Sequence, residues 1–279
     1  MGVNKFNMKK ILKRSKIDKH GLCLNEYENN FNNAKVYFDR ATGKSPEMEV
    51  SKAIANILKP KIKNGSRLLD VGCACGHYYR SIKKKVKKDF FYTGTDPYEI
   101  FLEKAKIAWK NDANVNFLKG NIYKLPFKKN QFDLTICSNV FIHLNKIKKP
   151  LQELLRVTKG TIIIRTVVYD VSYKVQLVYN NKWWKNTDVK PKDEFDKKGN
   201  PRAFSYFNIL SKDFLEGTIK DINKKAKVTF VKDNFFSKKK ISSSSKKERR
   251  PLATRIIGDE QFSGCLMQPH YFVIIDLNK

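Results

Sequence analysis

Long apolar runs are missing from this sequence. No stretch of hydrophobic residues approaches the roughly 18 positions that a membrane-spanning helix needs, so the sequence predicts no membrane span. The opening residues, "MGVNKFNMKKILKRSKI", carry neither a long apolar core nor a small-residue cleavage site, and we expect no secretory signal. Cysteine is scarce as well, with five residues among 279. That odd number favours reduced thiols in a cytoplasmic protein over a disulfide framework.

Acidic residues and arginine are also few. Asp and Glu number 27 against 57 Lys and Arg, which gives a formal net charge of +30, yet only ten of the basic residues are arginine and 47 are lysine. Because bidentate recognition of phosphate or guanine favours arginine, the charge by itself is weak evidence for nucleic-acid binding. The densest basic cluster, residues 237–251, is interpreted as a solvated loop, with contact to RNA or an anionic surface as the alternative.

What the sequence does contain is material for a large core, with 41% hydrophobic and 12% aromatic residues. Between residues 66 and 168, short buried strand patterns alternate with helical patterns. The predicted strands are 66–72, 89–96, 114–121, 131–139 and 159–168, with helices at 77–88, 97–111 and 144–158. This alternation predicts an α/β doubly wound fold with a parallel sheet and helices on both faces.

The flanking regions complete the predicted organisation. We expect an N-terminal helical or cap segment over 1–44 and the α/β domain over 45–279, opening with a covering helix that Ser45 would cap. Residues 169–204 have no clear period and are predicted to form an insertion or lid. A helix capped by Ser211 and two late strands, within 227–236 and 270–277, would follow.

A glycine-containing turn follows the first predicted strand, in "LLDVGCACGHYYRSI" at residues 68–82. Gly72 and Gly76 are separated by three small residues, at the point where the strand must turn into a helix. Small residues there allow backbone N–H groups to approach a ligand at the positive end of the helix. The turn is therefore predicted to bind part of a ligand through its backbone.

Two other interpretations of this turn fail on spacing. A dinucleotide fingerprint would require glycine where the sequence has Ala74 and His77, so we expect no binding of NAD. Cys73 and Cys75 are separated by one residue, whereas paired zinc ligands normally have two to four residues between them, and no metal site is expected.

Polar residues end the next three predicted strands. Asp96 ends the second strand, Asn121 and Ile122 end the third, and Ser138 with Asn139 ends the fourth. Open α/β sheets bind ligands at the carboxyl ends of their strands, where an acidic residue after the second strand accepts hydrogen bonds from ribose hydroxyls. A polar residue followed by an apolar one could contact the edge and face of an adenine.

At these residues the sequence resembles the class I S-adenosylmethionine-dependent methyltransferases, most closely their type 11 group. The matching motifs are "LLDVGCACG", "GTD", "GNIYKLPF" and "FDLTICSNVFIHL", and the detailed resemblance covers residues 45–168. It implies a mostly parallel seven-stranded sheet with an antiparallel last strand, with S-adenosylmethionine as cofactor and methyl transfer as the reaction. Ala74 replaces the middle glycine of the first motif, and Asn121 replaces the usual aspartate of the third.

The resemblance also implies roles for individual residues. Asp70 would meet the methionine amino group, and the turn would make close backbone contacts. The residues so implied as cofactor-binding are Asp70, Gly72, Cys73, Gly76, Asp96, Pro97, Asn121, Ile122, Ser138, Asn139 and Val140. Structural roles remain open for three of them, with Asp70 as a turn cap, Asp96 as a helix cap and Asn121 as a turn residue.

Two sequence signatures of nucleobase methylation are absent, and their absence bears on the nature of the methyl acceptor. The Asn/Asp-Pro-Pro-Tyr/Phe signature of exocyclic amino methylation does not follow Ser138, and Cys137 lacks the preceding proline of pyrimidine methyltransferases. A small-molecule acceptor such as a sugar, a lipid precursor or another metabolite is therefore favoured. An RNA methyltransferase and a non-catalytic cofactor-binding protein are the alternatives.

Candidate residues for catalysis and acceptor binding lie beyond the cofactor motifs. His143 could be a general base next to the methyl donor or a structural histidine. Trp183, Trp184 and Tyr206 could form a wall of the substrate pocket or pack in the core of the insertion.

Overall fold

The computed structural model describes residues 31–178, 195–201, 204–234, 254–257, 260–263 and 266–277. Within these residues the helices are α1 (Phe31–Thr42), α2 (Glu49–Leu58), α3 (His77–Lys85), α4 (Glu99–Ala108), α5 (Lys148–Val157) and α6 (Lys212–Ile222). The strands are β1 (Ser66–Val71), β2 (Phe90–Asp96), β3 (Val115–Lys119), β4 (Phe132–Ser138), β5 (Thr158–Tyr169), β6 (Tyr173–Val178), β7 (Phe204–Ser211), β8 (Lys227–Lys232), β9 (Thr254–Ile257), β10 (Glu260–Ser263), β11 (Leu266–Met267) and β12 (His270–Asp276).

The main sheet runs in the order β3-β2-β1-β4-β5-β12-β8. Strands β1 to β5 are parallel to their neighbours, and β12, the last strand of the chain, is antiparallel to both β5 and β8. The prediction of a doubly wound, mostly parallel sheet of seven strands with an antiparallel last strand is confirmed. The carboxyl ends of β1 to β5 consequently share one edge, which is where the sequence motifs lie.

Two further strands extend this sheet beyond the prediction. The hairpin of β6 and β7 joins β5 through the pair Val168–Leu210. The interval 169–204, predicted as an insertion or lid with no clear period, therefore contains a strand. Residues 173–177 alternate apolar and polar side chains, a strand signal that the prediction overlooked. A separate small sheet of β9, β10 and β11 was not predicted either.

Apolar side chains pack on both faces of the main sheet. On one face, α5 and α6 cover the strands with residues such as Leu154 and Ile219, and on the other, α2 and α3 cover them with residues such as Leu58 and Ile82. Strand β5 supplies both layers, because successive side chains of a strand point to opposite faces. All of its residues from 161 to 168 are buried.

The helix boundaries test the local predictions. Ser211 caps α6 as predicted, and its Oγ accepts a hydrogen bond from the Phe214 N–H at 3.2 Å. The prediction of Ser45 as a cap is wrong, because α2 begins only after Met48, which makes no side-chain cap. Pro97 precedes α4 rather than occupying its first turn. No helix among the described residues is long and apolar enough to cross a bilayer.

Candidate active site

The turn between β1 and α3 has the backbone conformation that its small residues suggested. Gly72, Ala74 and Gly76 have φ angles of 78°, 46° and 69°, all in the left-handed region that favours glycine. A Cβ atom on Gly72 would overlap the Val140 side chain, and one on Gly76 would lie 2.7 Å from the Phe117 ring. Glycine is thus required at both positions by conformation and by space.

Asp96 connects the end of β2 to this turn. Its Oδ2 accepts a hydrogen bond from the Ala74 N–H at 3.0 Å, and its Oδ1 accepts one from the Tyr98 N–H at 3.0 Å. Burial raises the pKa of this carboxyl to about 7, although both hydrogen bonds act to lower it. The bond to Tyr98 turns the chain before α4, but the N-cap of α4 is Tyr98, without a side-chain cap bond, so Asp96 is not the helix cap that the sequence left open.

Asp70 is the second buried carboxylate of the site. Its Oδ2 accepts a hydrogen bond from the Tyr92 hydroxyl, and its Oδ1 is buried with no hydrogen-bond partner among the described residues. Burial raises the pKa of Asp70 to about 7, the Tyr92 hydrogen bond lowers it, and the charge of Asp96 raises it further. Asp70 makes no bond to the backbone of the following turn, so in this structure it is not a turn cap.

Asn121 and Ile122 follow β3 at the same edge of the sheet. The Oδ1 of Asn121 accepts a hydrogen bond from the Tyr123 N–H at 2.9 Å, and Asn121 forms an isolated bridge with Lys124. Asn121 therefore has the turn role that the sequence left open. Ile122 is buried.

The end of β4 contributes a polar residue and a strained one. Ser138 is buried and its Oγ lies 2.8 Å from the Tyr78 hydroxyl. Burial raises the pKa of Tyr78 to about 12, so this phenol stays protonated at neutral pH. Asn139 has a φ of 60°, and Val140 packs over Gly72. The β4 turn and the glycine turn are consequently in direct contact.

His143 and Tyr206 come together although they are far apart in sequence. His143 ends a 3-10 turn, Phe141–His143, and its Nδ1 lies 3.3 Å from the Tyr206 carbonyl oxygen. Tyr206, on β7, is buried, and the Lys174 ammonium lies 4.6 Å from the centre of its ring. Trp183, Trp184 and the basic cluster 237–251 fall outside the described residues.

Helix α1 covers the glycine turn, a contact that the sequence did not indicate. Tyr37 stacks on His77 with 4.9 Å between ring centres, and the Cys75 thiol lies 3.6 Å from the Ala34 carbonyl oxygen. The described part of the predicted N-terminal segment thus packs against the turn that the resemblance assigns to the cofactor.

His77, the first residue of α3, is buried beneath Tyr37. Neither of its ring nitrogens has a hydrogen-bond partner among the described residues. Burial, together with the nearby Arg40 charge, lowers the pKa of His77 to about 3. The imidazole is therefore neutral at physiological pH.

The three cysteines of the described residues, Cys73, Cys75 and Cys137, are free thiols. Burial raises their pKa values, so none has the thiolate character of a reactive cysteine. In the same part of the chain, no three His, Cys, Asp or Glu side chains come together as a metal-binding group.

A buried ion pair next to the β4 turn was missed by sequence reasoning. Arg165 lies within β5 and pairs with Asp233, which follows β8, with 2.7 Å between Nη2 and Oδ2. The signal was present, since Arg165 is the one charged residue in the apolar run "TIIIRTVV". A charge at such a position requires a buried partner, but the sequence did not say which residue it was.

Comparisons with known proteins agree with this geometry. Residues 68–161 match a family model described as a methyltransferase domain. An uncharacterized methyltransferase of Schizosaccharomyces pombe is 36% identical over 106 residues, which cover 35% of this chain and 38% of that protein. The demethylmenaquinone methyltransferase of Staphylococcus saprophyticus is 29% identical over 143 residues, covering 48% and 61%. The chain thus spans less than two thirds of either relative.

A solved structure shows the same fold. The cyclase SpnF superposes with a TM-score of 0.54 at 13% identity, over 85% of each chain. The strand order and the glycine turn define a Rossmann-like α/β fold, a class in which ligands typically bind at the carboxyl edge of the sheet. The family match covers residues 68–161. This part of the chain is therefore similar to S-adenosylmethionine-dependent methyltransferase domains, as the motifs predicted, and S-adenosylmethionine is the cofactor that the similarity implies.

The residues at this edge fit such a cofactor. The buried Oδ1 of Asp70 has no hydrogen-bond partner among the described residues, and an ammonium group could supply one. The glycine positions leave room where side chains would collide with Val140 or Phe117. The unpartnered carboxylate oxygen suits the cationic amino group of a bound molecule. The space at the glycines allows that molecule to approach the backbone closely.

Proposed function

We propose that this protein transfers a methyl group from S-adenosylmethionine to a small-molecule acceptor. The observation that carries the proposal is the pair of buried carboxylates, Asp70 and Asp96, on two sides of the glycine turn. No ion pair among the described residues includes either of them. When bound, the cofactor supplies an activated methyl group on a sulfonium, and the protein has to align donor and acceptor and exclude water.

In this proposal, different residues bind different parts of the cofactor. Asp70 accepts hydrogen bonds from the amino group of the methionine part, and Asp96 accepts them from the ribose hydroxyls. The turn contributes backbone contacts at Gly72, Cys73 and Gly76, and the remaining contacts come from Pro97, Asn121, Ile122, Ser138, Asn139 and Val140. Burial of the two carboxylates makes each such hydrogen bond stronger than it would be in water.

Two observations support a small-molecule acceptor. The demethylmenaquinone methyltransferase named above is called after an acceptor of that class. The two nucleobase-methylation signatures are absent from the sequence.

His143 is the proposed general base where the acceptor is a hydroxyl or a protonated amine. The Tyr206 carbonyl oxygen lies 3.3 Å from Nδ1 and can accept a hydrogen bond from an Nδ1–H. This favours the tautomer in which Nδ1 carries the proton and Nε2 does not. In that tautomer Nε2 would accept the proton of the acceptor as the methyl group is transferred. Tyr206 then orients the base as well as lining the site.

The activity has to be measured, because the fold alone does not specify it. A protein named as a cyclase shares this fold. Incubation with tritiated S-adenosylmethionine, once with a small-metabolite extract and once with total RNA, separates the candidates. Label in small molecules is the expected result. Label in RNA would replace the proposal with an RNA methyltransferase, and binding without any transfer would indicate a non-catalytic cofactor-binding protein.

Two variants sharpen this experiment. Replacing Trp183 and Trp184 with alanine should abolish turnover and leave cofactor affinity within about threefold, since the mixture of aromatics and charges around them suits a compact polar ligand. Replacing the lysines of the basic cluster with glutamine should change turnover little; these are Lys238, Lys239, Lys240, Lys246 and Lys247. Turnover that is instead lost on neutralisation, and falls steeply with salt, would favour nucleic acid.

A further inference from the structure

The turn after β4 contains a residue in an unfavourable backbone conformation. Asn139 has a φ of 60°, in the left-handed region that non-glycine residues enter at a cost, although asparagine tolerates it better than most. Its N–H donates to the Arg165 carbonyl at 2.9 Å, which prolongs the pairing of β4 with β5. Such a conformation persists where neighbouring contacts hold it.

The Arg165 side chain provides that contact. Its Nη1 donates to the Asn139 Oδ1 at 2.5 Å and its Nε donates to the Asp233 Oδ2 at 2.7 Å, while Nη2 forms an ion pair with the same Oδ2, also at 2.7 Å. The Arg165 and Asp233 side chains are 7% and 4% exposed. Asp233 is itself held, since its N–H donates to the His270 carbonyl at 2.8 Å. One guanidinium thus ties the turn after β4 to the ends of β8 and β12.

The turn held in this way forms one wall of the proposed cofactor site. Val140 follows Asn139 directly and lies so close to Gly72 that no Cβ fits between them. Ser138 precedes Asn139 and is held by the Tyr78 hydroxyl from α3. A change in the Asn139 backbone would therefore move Val140 relative to the glycine turn.

We propose that Arg165, paired with Asp233, is a positioning residue for the methyl-transfer site, acting through the left-handed conformation of Asn139. This inference rests on the proposed function and adds to it a buried charge pair outside the cofactor motifs. Arg165 itself is not expected to touch the cofactor. Its two bonds to Asp233 fix the guanidinium, so that its third bond fixes the turn.

The chain contains a natural comparison for this role. Asn130, in the turn before β4, has a φ of 55°, and its N–H donates to the carbonyl of an arginine, Arg156, at 2.8 Å. The Arg156 guanidinium, however, donates to Glu153 and to backbone carbonyls. The two asparagines share a conformation and a backbone bond, and differ in the guanidinium bond to the side chain.

The test removes the pair without leaving a buried charge alone. The double variant Arg165→Met/Asp233→Leu replaces both charges by apolar side chains of similar size, a change that buried pairs often tolerate. Titration calorimetry with S-adenosylhomocysteine should show binding weakened by about tenfold. Adding Asn139→Gly should restore part of the affinity that the double variant has lost, because glycine adopts this conformation without support.

The controls decide between positioning and general stability. Asn130→Gly should leave affinity unchanged. Wild-type affinity in the double variant, or a loss that Asn139→Gly does not restore, would overturn the inference. Should the double variant not fold, Asn139→Ala must bind more weakly than Asn139→Gly, and equal affinities would overturn it. A wild-type protein that does not bind S-adenosylhomocysteine would overturn the proposed function itself, and this inference with it.

Discussion

The two halves of the carboxyl edge bury charge in opposite ways. In the cofactor half, formed by β1, β2 and β3, Asp70 and Asp96 are buried without an ion-pair partner among the described residues, and burial raises both pKa values to about 7. In the half formed by β4, β5, β12 and β8, the buried charge of Arg165 is matched by Asp233. Among the described residues, the buried charges of the first half have no counter-charge, whereas the buried charge of the second half has one.

Carboxylates elsewhere in the sheet show that this incompleteness is local. At Asp133, near the opposite edge, burial raises the pKa, but hydrogen bonds from Lys159 and the Arg67 N–H lower it more, and its pKa is below the ordinary value. A buried carboxylate without such partners disfavours its own ionisation. Perturbed pKa values of this kind are typical of functional sites.

The largest expected effect tests the space in the cofactor half. Gly72→Ala would introduce a left-handed alanine, costing about 1–2 kcal/mol, and a collision with Val140, costing about 1–3 kcal/mol more. Denaturant unfolding measures the total. Gly65→Ala is the matched control, since Gly65 has a φ of 76° with nothing within 4 Å of an added Cβ. If Gly72→Ala and Gly65→Ala lower the free energy of unfolding equally, the collision with Val140 does not contribute to the loss.

The second prediction tests whether Asp96, which has no ion-pair partner among the described residues, binds the cofactor. Asp96→Ala should weaken S-adenosylhomocysteine binding by about 1.5–3 kcal/mol, the range for hydrogen bonds to a charged group. Asp133→Ala removes a carboxylate of the same sheet far from the site and should leave affinity unchanged. A loss below a few tenths of a kcal/mol for Asp96→Ala, with the fold intact, would reduce Asp96 to its role in turning the chain before α4.

The third and smallest effect is the pH dependence of the cofactor half. Because the pKa of Asp70 is about 7 in the folded chain, the carboxyl becomes ionised between pH 6 and pH 8. Affinity for S-adenosylhomocysteine should therefore rise by about tenfold over that interval, one pKa unit corresponding to about 1.4 kcal/mol. Titration calorimetry at several pH values measures the rise, and Asp70→Asn should reduce it, since only Asp96 would then ionise over that interval. An unchanged rise in Asp70→Asn would assign it to another group.

The stability of the free protein should change with pH in the opposite direction. Both carboxyls have folded-state pKa values of about 7, above the usual value for an unfolded chain. Between about pH 4 and pH 7 the folded protein therefore holds protons that the unfolded chain releases, and the free energy of unfolding falls as the pH rises. Urea unfolding at pH 5 and pH 7 checks this sign.

Much of the cofactor half could be predicted from the sequence. Gly72 and Gly76 meet local backbone requirements, and Asp96 is adjacent in sequence to the strand end that places it. The alternation of strands and helices predicted the sheet, because hydrophobic periodicity reflects which face each element buries. The errors there were local as well, since Ser45 and Pro97 had typical positions for a helix start but α2 and α4 begin later.

The rest was decided by contacts between residues distant in the chain. Tyr92 bonds to Asp70, Tyr37 stacks on His77, and Arg165 finds Asp233 from 68 positions away. No periodicity encodes such a partner, because which side chains meet depends on the order of the strands in the sheet. The sequence by itself determined the fold, the glycine turn and the polar strand ends. The tertiary structure decided which buried charges are paired, since pairing depends on distances that only the packed sheet creates.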